Sequence, residues 1–238
     1  MLDDSQVGRV LVITAHPDDV DFGVAGTVAH WTDAGIQVTY CVVTDGDAGG
    51  FDPTVARDQI AGIRRQEQTD AAKEVGVSDL VFLGYPDGRL EVTLDLRRDL
   101  SRVIRQVRPH RVVCQSPERN FARIFASHPD HLAAGEAALC AVYPDARNAF
   151  TFTELFDEGH EAWTVPEVWL MASPSAAHAV DVSDHVDRKI RALRRHVSQH
   201  QDAGGMEARV REWLIATAEQ FGLPAGRSAE VFQVIATG

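Results

Sequence analysis

Two periodicities take turns along the first 145 residues of this chain. Short β-branched, apolar runs occupy Arg9 to Thr14, Gln37 to Val43, Leu80 to Leu83 and Arg111 to Gln115. Between them, apolar residues recur at three- and four-residue spacing over Phe22 to Ala34, Arg57 to Val75, Leu94 to Val107 and His131 to Val142. The first pattern predicts buried strands and the second amphipathic helices. Their stops agree with this reading: Gly35 and Gly76 follow two of the helices, and Pro109 and Pro144 bound the others. Strands alternating with helices of this length predict parallel βαβ units in an α/β, Rossmann-like, mostly parallel sheet flanked by helices.

The second half is less regular. Asn148 to Val165 reads as loop, Glu167 to Ala172 and Ala179 to Val182 as two more strands, and Asp184 to His200 and Met206 to Phe221 as charged helices. No internal repeat, low-complexity tract or linker interrupts the pattern, so one domain spanning residues 1–238 is expected.

Composition narrows the function. Thirty-five acidic residues against 23 basic ones give a formal charge of −12, which argues against nucleic acid or an anionic membrane as a partner. Cys41, Cys114 and Cys140 lie far apart in apolar stretches and read as reduced thiols, not as a disulfide framework or a cysteine metal site. The acidic start carries no signal-like apolar core, and no apolar run approaches ~20 residues. A cytoplasmic protein is expected.

The chemistry gathers at the strand ends, where open parallel sheets bind their ligands. Strand one runs into His16-Pro17-Asp18-Asp19, strand two into "TDGDAGG", strand three into "GYPDG", and strand four reaches "SHPDH" at residues 127–131. Adjacent Asp18 and Asp19 repel each other unless a cation or open water relieves them. Placed three apart at a strand-to-helix turn, His16 and Asp19 can face one point, and His131 can supply a third ligand. Two imidazoles and one carboxylate leave a coordination position open, as catalytic zinc sites do. Asp18 then lies beside the cation, placed to take a proton from water as a general base. The plain alternative is a capped turn, with Asp18 or Asp19 as helix N-cap. Two His-Pro-Asp motifs, each after a predicted strand, favour the metal site.

"AHPDDVDFGVAGT" together with "HPDH" resembles the PIG-L/LmbE-like zinc-dependent de-N-acetylases. The likeness continues through "TDGDAGG", "RRQEQTDAAKEVGVSDLVFLGYPDGRL" and "KIRALRRHVSQ" and covers most of the chain. It implies an LmbE-like fold, with Zn2+ or another divalent metal held by His16, Asp19 and His131, and Asp18 as base. It further implies a protonated His128 that stabilises the oxyanion or protonates the leaving amine, Asp130 orienting His128, and Arg64 contacting sugar hydroxyls. The implied reaction removes an N-acetyl group from an amino sugar or N-acetylglucosaminyl conjugate, releasing acetate. The implied assembly is a homo-oligomer, trimer or hexamer. Two positions depart from the family pattern. Ala126 stands where some members carry a tyrosine two residues before the "HPDH" histidine, and Val20-Asp21 follows the first motif where a Glu is common.

The remaining candidates read more plainly. His30 and His110 belong with core elements, and His160, His178 and His185 have no companion motif. His196 and His200 flank "VSQ" with packing or subunit contact as the expected role. Asp45 and Asp47 either line the pocket or cap their loop. "DRKIRALRRH" reads as a solvated helix face, and Trp163 and Trp169 as core or interface residues more than a sugar platform. Two other functions compete with deacetylation. Iron(II) oxygenases use two His and a carboxylate, but with His-x-Asp spacing on antiparallel β scaffolds. A nucleotide-binding or regulatory module would need neither Asp18 nor His128, and "FGVAG" is no dinucleotide fingerprint.

Overall fold

The apolar runs become strands because each can be covered on both faces. The computed structural model describes residues 1–237. Strands β1 (Arg9–Thr14), β2 (Gln37–Thr44), β3 (Asp79–Tyr85), β4 (Arg111–Gln115), β5 (Glu167–Met171), β6 (His178–Asp181) and β7 (Ala229–Ala236) form one sheet in the order β3-β2-β1-β4-β5-β7-β6. The first five are mutually parallel, while β7 runs antiparallel between β5 and β6. In β1, Val10 and Val12 face the layer of Val28, Trp31 and Tyr40, while Leu11 and Ile13 face Leu96, Leu100 and Ile104. Successive side chains of a strand point to opposite faces, so an unbroken apolar run marks a strand buried on both.

Helices α1 (Asp19–Gly23), α2 (Ala25–Asp33) and α3 (Arg57–Glu74) follow β1 and β2, and α4 (Leu94–Val107) and α5 (Pro129–Cys140) follow β3 and β4. A short α6 (Thr153–Asp157) lies within the expected loop. Helices α7 (Val186–Leu193) and α8 (Ala203–Gln220) share an apolar cluster of Val186, Ile190, Leu193, Met206, Val210 and Leu214. Among the described residues no helix is long and apolar enough to cross a membrane.

The structure departs from the sequence reading in four places. The first expected helix is broken at Val24, whose backbone (φ −145°, ψ 3°) separates α1 from α2. Strand β7 was not expected: its apolar residues do not alternate cleanly, and its Glu230 is buried. The helix expected over Asp184 to His200 ends at Leu193 and gives way to a 3₁₀ turn at Val197–Gln199. Finally, α7 is not a wholly solvated face. Lys189 is fully buried, with its Nζ 2.6 Å from Glu230 Oε1, and Glu230 also accepts from Gly26 and Thr27 N–H. A buried charge persists when it is paired and its remaining bonds are met.

One glycine sets the depth at which α5 docks. A Cβ on Gly135 would collide with the Gln115 carbonyl at the end of β4, a backbone atom that cannot swing aside. Gly135→Ala should therefore cost about 1–3 kcal/mol, despite alanine's better helix propensity. Urea unfolding measures it, and a neutral or stabilising change would refute this packing.

Candidate active site

Both His-Pro-Asp motifs arrive at the place where the sheet changes direction. From β1 the chain winds outward to β2 and β3, then returns to β4 on the other side of β1. The loops after β1 and β4 therefore flank a crevice at the switch point. Gln115 ties them together: its Oε1 accepts from Ala15 N–H at 2.9 Å.

Asp18 occupies the N-cap position of α1, yet its side chain caps nothing, so the plain reading of the motif is not what forms. Its backbone sits in the left-handed region at φ 91°, a conformation costing an ordinary residue about 1–3 kcal/mol. Two residues of α3 hold it there. Gln68 Oε1 accepts from Asp18 N–H at 2.8 Å, and Arg64 donates to the Pro17 carbonyl at 2.6 Å while lying 3.4 Å from Asp18 Oδ2. Asp19 reaches back to accept from His16 N–H at 2.7 Å.

Three donors then meet. His16 Nδ1 is 3.2 Å from Asp19 Oδ2, His131 Nε2 is 3.0 Å from Asp19 Oδ1, and the two ring nitrogens are 3.2 Å apart. Ligands about 2.0–2.2 Å from a tetrahedral cation sit about 3.3–3.6 Å from one another, so the set is nearly at coordination spacing. The outer nitrogens are engaged too. His16 Nε2 faces Asp87 at 3.1 Å and Asp130 at 3.2 Å, and His131 Nδ1 faces the Ala126 carbonyl at 3.4 Å. An imidazole with one nitrogen held from behind presents the other inward, as metal-ligating histidines do. The residues fit a divalent cation.

Two other groupings have donor atoms within 4.8 Å of one another, His16 with His128 and His131, and the buried set of His16 with Asp87 and Asp130. In the latter, Asp130 already accepts from Gly88 and Leu90 N–H, which marks that grouping as a support.

The electrostatics point the same way. Burial alone would lower the His16 pKa, but the Asp19 charge and hydrogen bonds to Asp130, Asp19 and Asp87 push it up to about 12. Burial would raise Asp19, but His131 and His16 hold it well below the usual carboxylate range. A centre so rich in carboxylates attracts positive charge. Burial pushes the Asp18 carboxyl up to about 6, with Arg64 pulling against it and Asp19 adding to it.

Three expected roles change. The Asp130 carboxylate does not orient His128: it meets His16 and two backbone amides, while Asp130 N–H donates to His128 Nδ1 at 3.2 Å. That bond also bears on the expected protonated His128. With Nδ1 accepting, the network assigns a neutral ring carrying its proton on Nε2. Burial and the charges of His16 and His131 lower its pKa in the same sense. Arg64 is turned inward, away from sugar hydroxyls: it is 4% exposed, with Nη1 and Nη2 donating to the Gly46 and Pro17 carbonyls. Its place inside α3 gave no sign of this burial.

Two supporting residues escaped the sequence reading. Asp87 lies in the "GYPDG" turn, and Asp47 accepts its N–H at 2.9 Å. Gln68, inside a run of charged helix residues, also donates to Asp21 Oδ2 at 2.9 Å. His196, expected to pack or contact a subunit, is fully buried and 2.8 Å from the same Asp21 oxygen. Burial lowers the His196 pKa, but the Asp21 hydrogen bond and charge outweigh it and raise it above its ordinary value. A raised imidazole stabilises the fold fully below its unfolded value near 6.5 and loses that contribution as pH rises through its folded value. The stability gap between wild type and His196→Phe should therefore be widest below about pH 6.5, on the order of 1.5–3 kcal/mol, and shrink at alkaline pH. Urea unfolding across pH tests this, and a gap that widens with pH would refute it. Elsewhere, His110 accepts from Gly8 and Arg9 N–H, and Trp169 meets Trp31 edge to face in the core, so neither belongs to a ligand site.

Beside Asp19 and His131 opens a cavity of about 610 Å³. A Rossmann-like sheet with two imidazoles and a carboxylate converging at its switch point has the donor set of a divalent-cation site. Residues 11–142 match the family PIG-L, described as GlcNAc-PI de-N-acetylase, and the chain belongs to this LmbE-like de-N-acetylase family. A diacetylchitobiose deacetylase of Thermococcus kodakarensis is 33% identical over 82% of this chain and 71% of its own. A probable N-acetyl-α-D-glucosaminyl L-malate deacetylase 2 of Bacillus anthracis is 32% identical over 80% and 81%. The solved N,N'-diacetylchitobiose deacetylase of Pyrococcus horikoshii superposes with a TM-score of 0.89 at 28% identity, covering 98% of this chain and 85% of that one.

Proposed function

We propose that this protein is a zinc-dependent hydrolase that removes the N-acetyl group from an N-acetylglucosaminyl conjugate, releasing acetate and a free amine. The observation that carries the reading is the pairing of a three-donor set with a second carboxylate, Asp18, held beside it by strained backbone. Membership of a de-N-acetylase family, with relatives named for acetylated glucosamine substrates, supports it.

His16, Asp19 and His131 would hold the cation, which when bound polarises the amide carbonyl and makes water a better acid. Asp18 takes a proton from the attacking water. His128, donating from Nε2, stabilises the oxygen that becomes negative as the carbonyl carbon turns tetrahedral. The proton on Asp18 then passes to the departing nitrogen, so one water is consumed and its atoms are divided between acetate and amine. Asp130 and Asp87 fix the orientation of His16, and Arg64 with Gln68 fixes Asp18.

The reading is tested by assaying acetate and free amine from N,N'-diacetylchitobiose, N-acetylglucosaminyl L-malate and simple N-acetylglucosaminides, without nucleotide, oxygen or redox cofactor. Equimolar release of both products is expected from at least one. A metal-loaded protein that hydrolyses phosphate or peptide bonds, but no N-acetyl group, overturns the reading.

A further inference from the structure

The cavity beside the donor set carries a charge opposite to that of the chain. Its lining includes Phe22, Met171, Met206 and Trp213, and Asp19 is its one acid. Arg123 and Arg209 line the same space. In a chain of net charge −12, arginines such as Arg65, Arg97 and Arg211 sit on carboxylates. Among the described residues, no carboxylate lies within 4.0 Å of either Arg123 or Arg209.

Their placement is built. Arg123 comes from the same β4–α5 connection that delivers His128 and His131, and its guanidinium is held over the Trp213 ring at 5.0 Å and the Phe125 ring at 5.1 Å. Arg209 stands one helical turn before Trp213 on α8, so both project from one face of that helix. Burial alone lowers the pKa of Arg123, with no acid pulling it back. A partly desolvated cation without a partner is costly unless a ligand completes it, and the guanidinium fork matches the oxygens of a carboxylate or phosphate.

We propose that this cavity recognises an anionic group, carboxylate or phosphate, on the part of the substrate beyond the acetylated nitrogen, with Arg123 and Arg209 as its partners. The inference rests on the proposed deacetylation, since the acetyl group lies at Asp18 and His131 while the rest of the ligand fills the cavity. The apolar walls around the Arg123 guanidinium lower the local dielectric and so strengthen ion pairing there.

The test compares methyl N-acetylglucosaminide with two charged probes, carboxymethyl N-acetylglucosaminide and N-acetylglucosamine 1-phosphate, by turnover and by calorimetric titration. At least one charged probe should exceed the methyl compound about tenfold or more in kcat/KM, mostly through KM, with the advantage shrinking as salt rises. Whichever charged probe gains more identifies the anion. In the Arg123→Gln/Arg209→Gln protein the ratio should fall toward one, while Arg123→Lys keeps part of it. Equal kcat/KM for all three probes overturns the proposal. Tighter binding of a charged probe without turnover of any probe leaves the anion site standing and refutes deacetylation. Neither selective binding nor turnover overturns both.

Discussion

Asp18→Asn is expected to keep the cation and lose the chemistry, with kcat falling about 10²–10⁴-fold and KM changing little. Asparagine is the informative replacement because it tolerates φ 91° and can keep the backbone bond to Gln68, so only the basic oxygen is removed. Asp18→Ala should show the same loss in turnover and an additional loss of stability, since alanine pays more for that backbone. Full metal content in both variants, by elemental analysis, separates the base from the ligands. The supporting residues make a second check: Gln68→Ala removes the acceptor of Asp18 N–H without touching the donor set, so it should lower kcat by a smaller factor and leave metal content intact. Near-normal turnover in Asp18→Asn would show that the proton goes elsewhere.

How far the site could be read in advance depends on which forces place each residue. That His16, Asp19 and His131 come together was legible because the ends of β1 and β4 flank the switch point; the first motif follows β1 directly, and the second follows β4 through residues 116–127. The parallel core was legible because strands buried on both faces leave unbroken apolar runs. What escaped depends on tertiary burial of polar groups. Arg64 and Gln68 sit one turn apart on α3, where buried polar residues look the same as solvated ones. Lys189 was hidden for the same reason, since its partner Glu230 is 41 positions away on an unexpected strand. The role of Asp130 toward His128 was implied by the family resemblance, while its side chain is fixed by the amides of Gly88 and Leu90 from the loop after β3. His128 was expected to be charged, whereas its Nδ1 accepts a backbone N–H from Asp130. In each case the missing information is a contact between distant segments.

That division between a donor set and its supports gives the last expectation. Purified protein should carry about one zinc per chain, and His16→Ala, Asp19→Ala or His131→Ala should each remove it, along with activity. Each deletion breaks the three-donor set, and the two imidazole deletions also leave Asp19 with less of the positive charge that offsets its burial. Asp130→Ala should behave differently. It removes one acceptor from behind His16 Nε2 and keeps all three donors, so affinity should fall by about 10–100-fold, with activity restored at excess metal. Asp87 also faces that nitrogen at 3.1 Å, so Asp87→Ala/Asp130→Ala should lose more than either change alone. Circular dichroism controls for folding in every variant, and competition with a chromogenic chelator gives the affinities. A His131→Ala protein that retains its full zinc would remove that residue from the donor set. An Asp130→Ala protein with wild-type affinity would mean that Asp87 alone suffices to hold His16.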